Sequence, residues 1–120
     1  MATITYKVTV ASGTNQYGTG NKFYINGEAN VVLYLQEGNT YIFDQSDPSN
    51  AVGGVHQIAF SRNPNNDPAA VYSPAGSITT TGTPGNAGAQ TTFNVAPVRT
   101  TGAPLLFYYC TNHTGMGNTA

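Results

Sequence analysis

Cys110-Thr111-Asn112-His113-Thr114-Gly115-Met116 puts the only cysteine, one of two histidines and one of two methionines within seven consecutive positions. A thiolate, an imidazole and a thioether at this C-x-x-H-x-x-M spacing are three of the four donors of a blue-copper site, where two imidazoles and a thiolate bind strongly and a thioether weakly. The fourth donor is then the remaining histidine, His56. It lies in Gly54-Val55-His56-Gln57-Ile58-Ala59-Phe60, where His56, Ile58 and Phe60 alternate with Gln57 and Ala59. A strand here points the imidazole along the same face as two core residues. Taken singly, a buried cysteine or a lone histidine is more often a packing residue. Four donors that complete one coordination set are the stronger reading.

In that reading His56, Cys110 and His113 are the strong ligands and Met116 is the axial donor that tunes the potential. Copper is the expected ion; zinc can occupy the same His, Cys and His donors, and the site can also be kept empty. A backbone N–H near Asn112, or a side chain from Ser49 or Asn50, is placed to hydrogen-bond the sulfur or fix the loop. Hydrolytic chemistry does not compete, because Cys110 and His113 sit three apart across a tight loop with no evident oxyanion donor, so no enzymatic activity is expected. Asp44, Asp47 and Asp67 lie in turn-like sequence that favours Asp for backbone hydrogen bonding. The many tyrosines, Tyr108 and Tyr109 among them, suit cross-strand packing.

Positioning these donors requires strands. Helical periodicity is almost absent, and short segments rich in Val, Ile, Thr, Tyr and Phe recur between Gly, Asn and Pro clusters. The expected strands cover residues 4–11, 22–25, 31–36, 40–44, 56–61, 91–95 and 105–110. Asn26-Gly27 and Gly38-Asn39 mark turns that need positive φ. Tyr6, Val8 and Val10 share one face, Val31, Leu33 and Leu35 another, and Leu106, Tyr108 and Cys110 a third. Cys110 therefore ends a core-facing row and His56 begins one, so the two can converge at one end of a sandwich. Between Ser61 and Pro104 the density of Pro, Asn, Thr and Gly reads as a long surface loop, with short strands near 70–72 and 91–95.

Gly-Val-His-Gln-Ile-Ala-Phe, followed much later by Tyr108-Tyr109-Cys110-Thr111-Asn112-His113-Thr114-Gly115-Met116-Gly117, resembles the cupredoxins, and the two-residue gap between His113 and Met116 is most similar to the short ligand loop of amicyanin. Leu35 to Phe43 is similar to the strand, turn and strand before the first histidine ligand in that family. The C-terminal wording, with Phe43-Asp44-Gln45-Ser46-Asp47 before it, also resembles cupredoxin-like segments that recur in predicted structural proteins of marine bacteriophages. The resemblance implies an all-β fold: a cupredoxin-like Greek-key β-sandwich of about seven short strands with a long polar loop insertion, one domain over residues 1–120. Cupredoxins continue past the axial methionine into a further strand, whereas only four residues follow Met116 here. Either a sheet edge is left to pair with another chain, or the N-terminal strand covers it.

Composition narrows the function. Only 8% of the 120 residues are charged, the formal balance is −1, and Lys7, Lys22, Arg62 and Arg99 are dispersed. No basic patch is offered to nucleic acid or to anionic lipid, and no apolar run approaches the ~18 residues of a membrane span. The N-terminus does not read as an export signal. Two functions follow. The first is a structural or decoration protein of a bacteriophage virion, with other virion proteins or its own copies as partners and the metal site pinning the C-terminal loop. The alternative is a soluble blue-copper electron-transfer protein with a redox partner, working in the periplasm or outside the cell after removal of an unseen signal.

Overall fold

The computed structural model describes residues 2–36, 38–61, 78–95, 107–113 and 115–118. Among them are eight strands and one 3-10 turn: β1 (Thr3–Asn15), β2 (Gly18–Ile25), β3 (Glu28–Ala29), β4 (Thr40–Asp44), the turn Pro48–Ala51, β5 (Ile58–Ser61), β6 (Ile78–Thr81), β7 (Gln90–Asn94) and β8 (Phe107–Cys110). Six strands pair in the order β3-β2-β1-β4-β7-β6, and β5 pairs with β8 as a second sheet. This is the expected all-β sandwich.

Strand β1 serves two partners in succession. Thr3 to Lys7 run parallel to Thr40 to Asp44 of β4, and Val8 to Asn15 run antiparallel to β2, from Val8 opposite Ile25 to Asn15 opposite Gly18. At Asp44 β4 ends, and the backbone edge of β1 beyond Lys7 needs new partners. The 3-10 turn supplies them: the Val10 N–H donates to Ser49 Oγ at 2.9 Å, and Asn50 Nδ2 donates to the Val8 carbonyl at 2.8 Å. Asp47 caps that turn by accepting from the Ser49 N–H at 2.9 Å, and Pro48 suits its first position. Asn26 and Gly27 take the expected positive φ, 51° and 84°.

Aromatic side chains join the layers. Phe60 of β5 lies 5.3 Å from Phe43 of β4 and 4.8 Å from Phe93 of β7, ring centroid to ring centroid. Phe23 of β2 meets Tyr108 of β8 at 6.4 Å. With Val8, Ile25, Tyr41, Ile58, Cys110 and Met116 they form one apolar cluster; each fully buried aromatic or branched side chain contributes about 1.5–3 kcal/mol.

Several expectations need correction. Residues 31–36 form no strand ladder among the described residues, although they alternate as expected: Leu33 is buried, Val31 and Leu35 are half-buried, and Val32 and Tyr34 face outward. Side chains hold this segment instead, with Tyr108 Oη donating to the Val31 carbonyl and the Gln36 N–H donating to Tyr41 Oη. His56 precedes β5, which begins at Ile58. The first strand runs on to Asn15 and turns at Gln16-Tyr17 into β2, four residues earlier than expected. Within the polar span after Ser61, β7 falls on the expected 91–95 stretch, whereas β6 forms on a threonine run that reads as loop. The 70–72 strand and Leu105 and Leu106 lie outside the described residues.

The segment from Gly115 to Asn118 is fastened to both sheets. Phe23 N–H of β2 donates to the Met116 carbonyl, and Tyr108 N–H of β8 donates to the Asn118 carbonyl, each at 2.9 Å. Gly117 presses so closely on the Tyr108 carbonyl that no side chain fits there. Among the described residues, no helix is long and apolar enough to cross a membrane.

Candidate metal centre

His56 is fully buried, and both of its backbone groups are engaged. Its N–H donates to the Asn50 carbonyl at 2.8 Å, and its carbonyl accepts from Gln45 Nε2 at 2.6 Å. The ring is oriented by its far nitrogen, which lies 2.8 Å from the Val52 carbonyl. A carbonyl can only accept, so Nε2 carries the proton and Nδ1 presents a lone pair. That lone pair faces Cys110 Sγ at 3.7 Å.

Cys110 is the last residue of β8 and sits opposite Ile58 in the β5–β8 ladder. The ladder thereby brings Cys110 beside the segment that carries His56. Just beyond, the Thr111 N–H donates to the Gln57 carbonyl at 3.1 Å, and Asn112 Nδ2 reaches back to the Val55 carbonyl at 2.7 Å. The Asn112 N–H points at the sulfur, 3.4 Å away, as the sequence suggests. The tight turn then returns His113 toward the thiol, with Nδ1 3.8 Å from Sγ and the ring 4.7 Å from that of His56. His113 packs against Gly54, whose Cβ, were there one, would stand 3.4 Å from Cε1.

The donor atoms of His56, Cys110 and His113 all lie within 4.8 Å of one another, and His113 is the most exposed of the three. Metal bonds of about 2.0–2.1 Å to nitrogen and about 2.3 Å to sulfur separate the two donors by about 3.6–3.8 Å at tetrahedral to trigonal angles. The observed sulfur–nitrogen separations of 3.7 and 3.8 Å match that spacing. The three side chains could therefore hold a single metal ion that accepts nitrogen and thiolate donors. Burial pushes the Cys110 thiol up, against the opposing pull of backbone N–H groups at Asn112, His113 and Gln57. A cation held by these residues would reverse that balance and favour the thiolate.

Met116 is buried in the same apolar cluster as Cys110. Its carbonyl accepts from the Phe23 N–H and from Asn30 Nδ2. Ser49 and Asn50 stand behind the site, with the roles on β1 described above, and Asn50 also supports the His56 backbone.

Two supports escape sequence reasoning. Gln45, 1% exposed, hydrogen-bonds both His56 and Ile58. Lys22, read from sequence as a dispersed surface charge, is 3% exposed, and its Nζ donates to the Gly115 carbonyl at 2.7 Å. Burial lowers its pKa. Asn15 Nδ2 also donates to the Gly115 carbonyl, at 3.0 Å, and pairs closely with Asn30 Oδ1. No local pattern marks either residue, because each acts on a distant segment. Around the opening, Val52 is 64% and Val55 36% exposed, so the rim on the His56 side is apolar. Comparison with protein-family models, with curated proteins and with solved structures finds no match to this chain, so the chemistry of the site is read from its own donors.

Proposed function

We propose that this chain is a cupredoxin-like module in which His56, Cys110 and His113 hold one copper ion with Met116 as a weak axial donor, and that it serves as a structural or decoration protein of a bacteriophage virion. The observation that carries the metal reading is the convergence of a proton-directed His56 Nδ1, the Cys110 sulfur and His113 Nδ1 at coordination spacing. Copper, once bound, supplies a centre that cycles by one electron; the chain's own residues set its donors and exclude water on the buried side. The ligands come from two pieces of chain 54 residues apart, so a bound ion ties the C-terminal loop to the segment before β5 and adds its binding energy to folding. The virion reading is supported by the resemblance of the C-terminal wording and by a surface that relies on amides and hydroxyls rather than charge.

A second reading, electron transfer, is favoured by one observation. His113 is the most exposed of the three, and the exposed Val52 and Val55 make the rim on the His56 side apolar, as a weakly docking redox partner needs. Titrating metal-free protein with Cu(II) tests the shared premise. An intense thiolate-to-copper band at one copper per chain, with a raised melting temperature, is expected; no band and no stabilisation would overturn the copper site. Sedimentation of the loaded protein then separates the two functions. Assembly into many-copy species supports the virion module, and a monomer with rapid electron self-exchange supports the carrier.

A further inference from the structure

We infer that Gln45 is a positioning residue of the metal centre, its buried carboxamide standing in for a neighbouring strand along the backbone that carries His56. This rests on the reading of His56 as a ligand. In an extended chain the carbonyl of one residue and the N–H of the second residue after it face the same edge. At His56 and Ile58 that edge meets a side chain: Gln45 Nε2 donates to the His56 carbonyl at 2.6 Å, and Gln45 Oε1 accepts from the Ile58 N–H at 3.1 Å. The remaining donor and acceptor are also used, toward Asn50 Oδ1 at 3.0 Å and from Gln57 Nε2 at 3.2 Å. A carboxamide has two N–H groups and two acceptor sites, so all four are committed and the group has one orientation.

The backbone of Gln45 is fixed as firmly. Its N–H donates to the Ala89 carbonyl at 2.9 Å, and its carbonyl accepts from the Gly85 N–H at 2.8 Å. Both partners belong to the turn between β6 and β7, and Gly85 leaves no room for a side chain against Ala51 of the 3-10 turn. One continuous brace thus runs from the β6–β7 turn through Gln45 and Asn50 to the His56 backbone. With N–H and carbonyl both held, the ring needs only the Val52 carbonyl to aim Nδ1 at Cys110. Outer partners of metal ligands set tautomer and direction in this way, and their loss costs roughly 10–100-fold in metal affinity.

Gln45→Met keeps the volume and removes all four side-chain hydrogen bonds; Gln45→Asn keeps the amide but is one methylene too short to span His56 and Ile58. Nitrogen NMR of the His56 ring in the metal-free full chain is read first, then copper affinity and the thiolate-to-copper band. Wild type is expected to show a single Nε2–H tautomer. Gln45→Met should retain the sheet signal in circular dichroism, lose the single tautomer, and bind copper roughly 10–100-fold more weakly with a displaced band; Gln45→Asn should show the same effects in smaller degree. Folded variants with unchanged tautomer, affinity and band would overturn the proposal. So would loss of folding in both, which would make Gln45 a core residue only. Should wild type take up no copper, the copper reading fails by itself, and the tautomer comparison still decides the role of Gln45.

Discussion

His56 reaches the site from a segment whose backbone N–H, carbonyl and outer ring nitrogen are each engaged by groups behind it, whereas Cys110 and His113 arrive on a loop that is fastened mainly at its two ends. One end is the β8 ladder with Thr111 bonded to Gln57; the other is the Gly115 to Asn118 segment, held by Lys22, Asn15, Asn30, Phe23 and Tyr108. The His56 half is a fixed donor set into the sandwich. The loop half carries Cys110 and His113, with the more exposed of them, His113, between the fastenings. If an ion binds as proposed, the fixed half would define where it sits and the tethered half would let the loop close on it.

The largest effect should come from removal of the Cys110 sulfur, on which the proposed site depends from both sides. Cys110→Ser is expected to abolish the thiolate-to-copper band and to weaken copper by more than the roughly 10–100-fold that an outer-shell loss costs, read by spectroscopic titration. If the loop closes on the ion, the wild-type protein also gains melting temperature with metal; at a hundredfold excess over Kd the gain is about 2.7 kcal/mol, and the variant loses most of it. Next comes Asn50→Ala, aimed at the fixed half. Asn50 is fully buried and donates to the Val8 carbonyl while accepting from Gln45. Stripping these partners leaves buried polar groups unsatisfied and should cost about 1–3 kcal/mol of stability in denaturant unfolding, with metal or without. Equal stability in wild type and variant would show that the fixed half does not depend on this bridge.

Lys22→Met sharpens the comparison from the loop side. The methionine keeps the apolar stem and removes the donor to Gly115, whose carbonyl still has Asn15, and it relieves the cost of a buried ammonium. Stability should therefore change by under about 1 kcal/mol. Copper affinity should fall about tenfold with a shifted band, because the span from His113 to Met116 loses one fastening. A large stability loss with an unchanged copper spectrum would place Lys22 with the core and not with the loop.

The grouping of His56, Cys110 and His113 was legible in the sequence because Cys and His announce their chemistry by type and spacing, and the strand alternation indicated which side chains face inward. The supports were not, because their roles come from contacts between distant segments. Gln45 and Ile58 are 13 apart, and Lys22 and Gly115 are 93 apart; amides and lysines carry no mark of burial. The fold shows the same division. Residues 31–36 alternate as a strand does, yet alternation records only that one face is buried, and here side-chain hydrogen bonds replace the ladder. β6 is the reverse case. Among the described residues it is an edge strand whose threonines are exposed and whose single partner is β7, so it carries no apolar alternation to find.

The smallest effect concerns the charge at the turn behind His56. Hydrogen bonds from the Ser49 hydroxyl and N–H hold the Asp47 carboxyl below its ordinary range, with burial opposing and Lys7 assisting; bonds from Ser46 do the same for Asp44. A carboxyl with a lower pKa in the folded chain than in the unfolded one contributes stability above the unfolded value, and that contribution is lost as pH falls through the folded value. Metal-free protein should thus unfold at lower denaturant concentration as the medium is acidified below the ordinary carboxylate range. Asp47→Asn keeps an acceptor for the cap and should flatten part of that slope without changing the copper band at neutral pH. Metal-free protein is the right subject, because any metal affinity would itself depend on pH. An identical slope in Asp47→Asn would mean that the cap contributes geometry and not charge, and that the fixed half of the site is set by neutral hydrogen bonds alone.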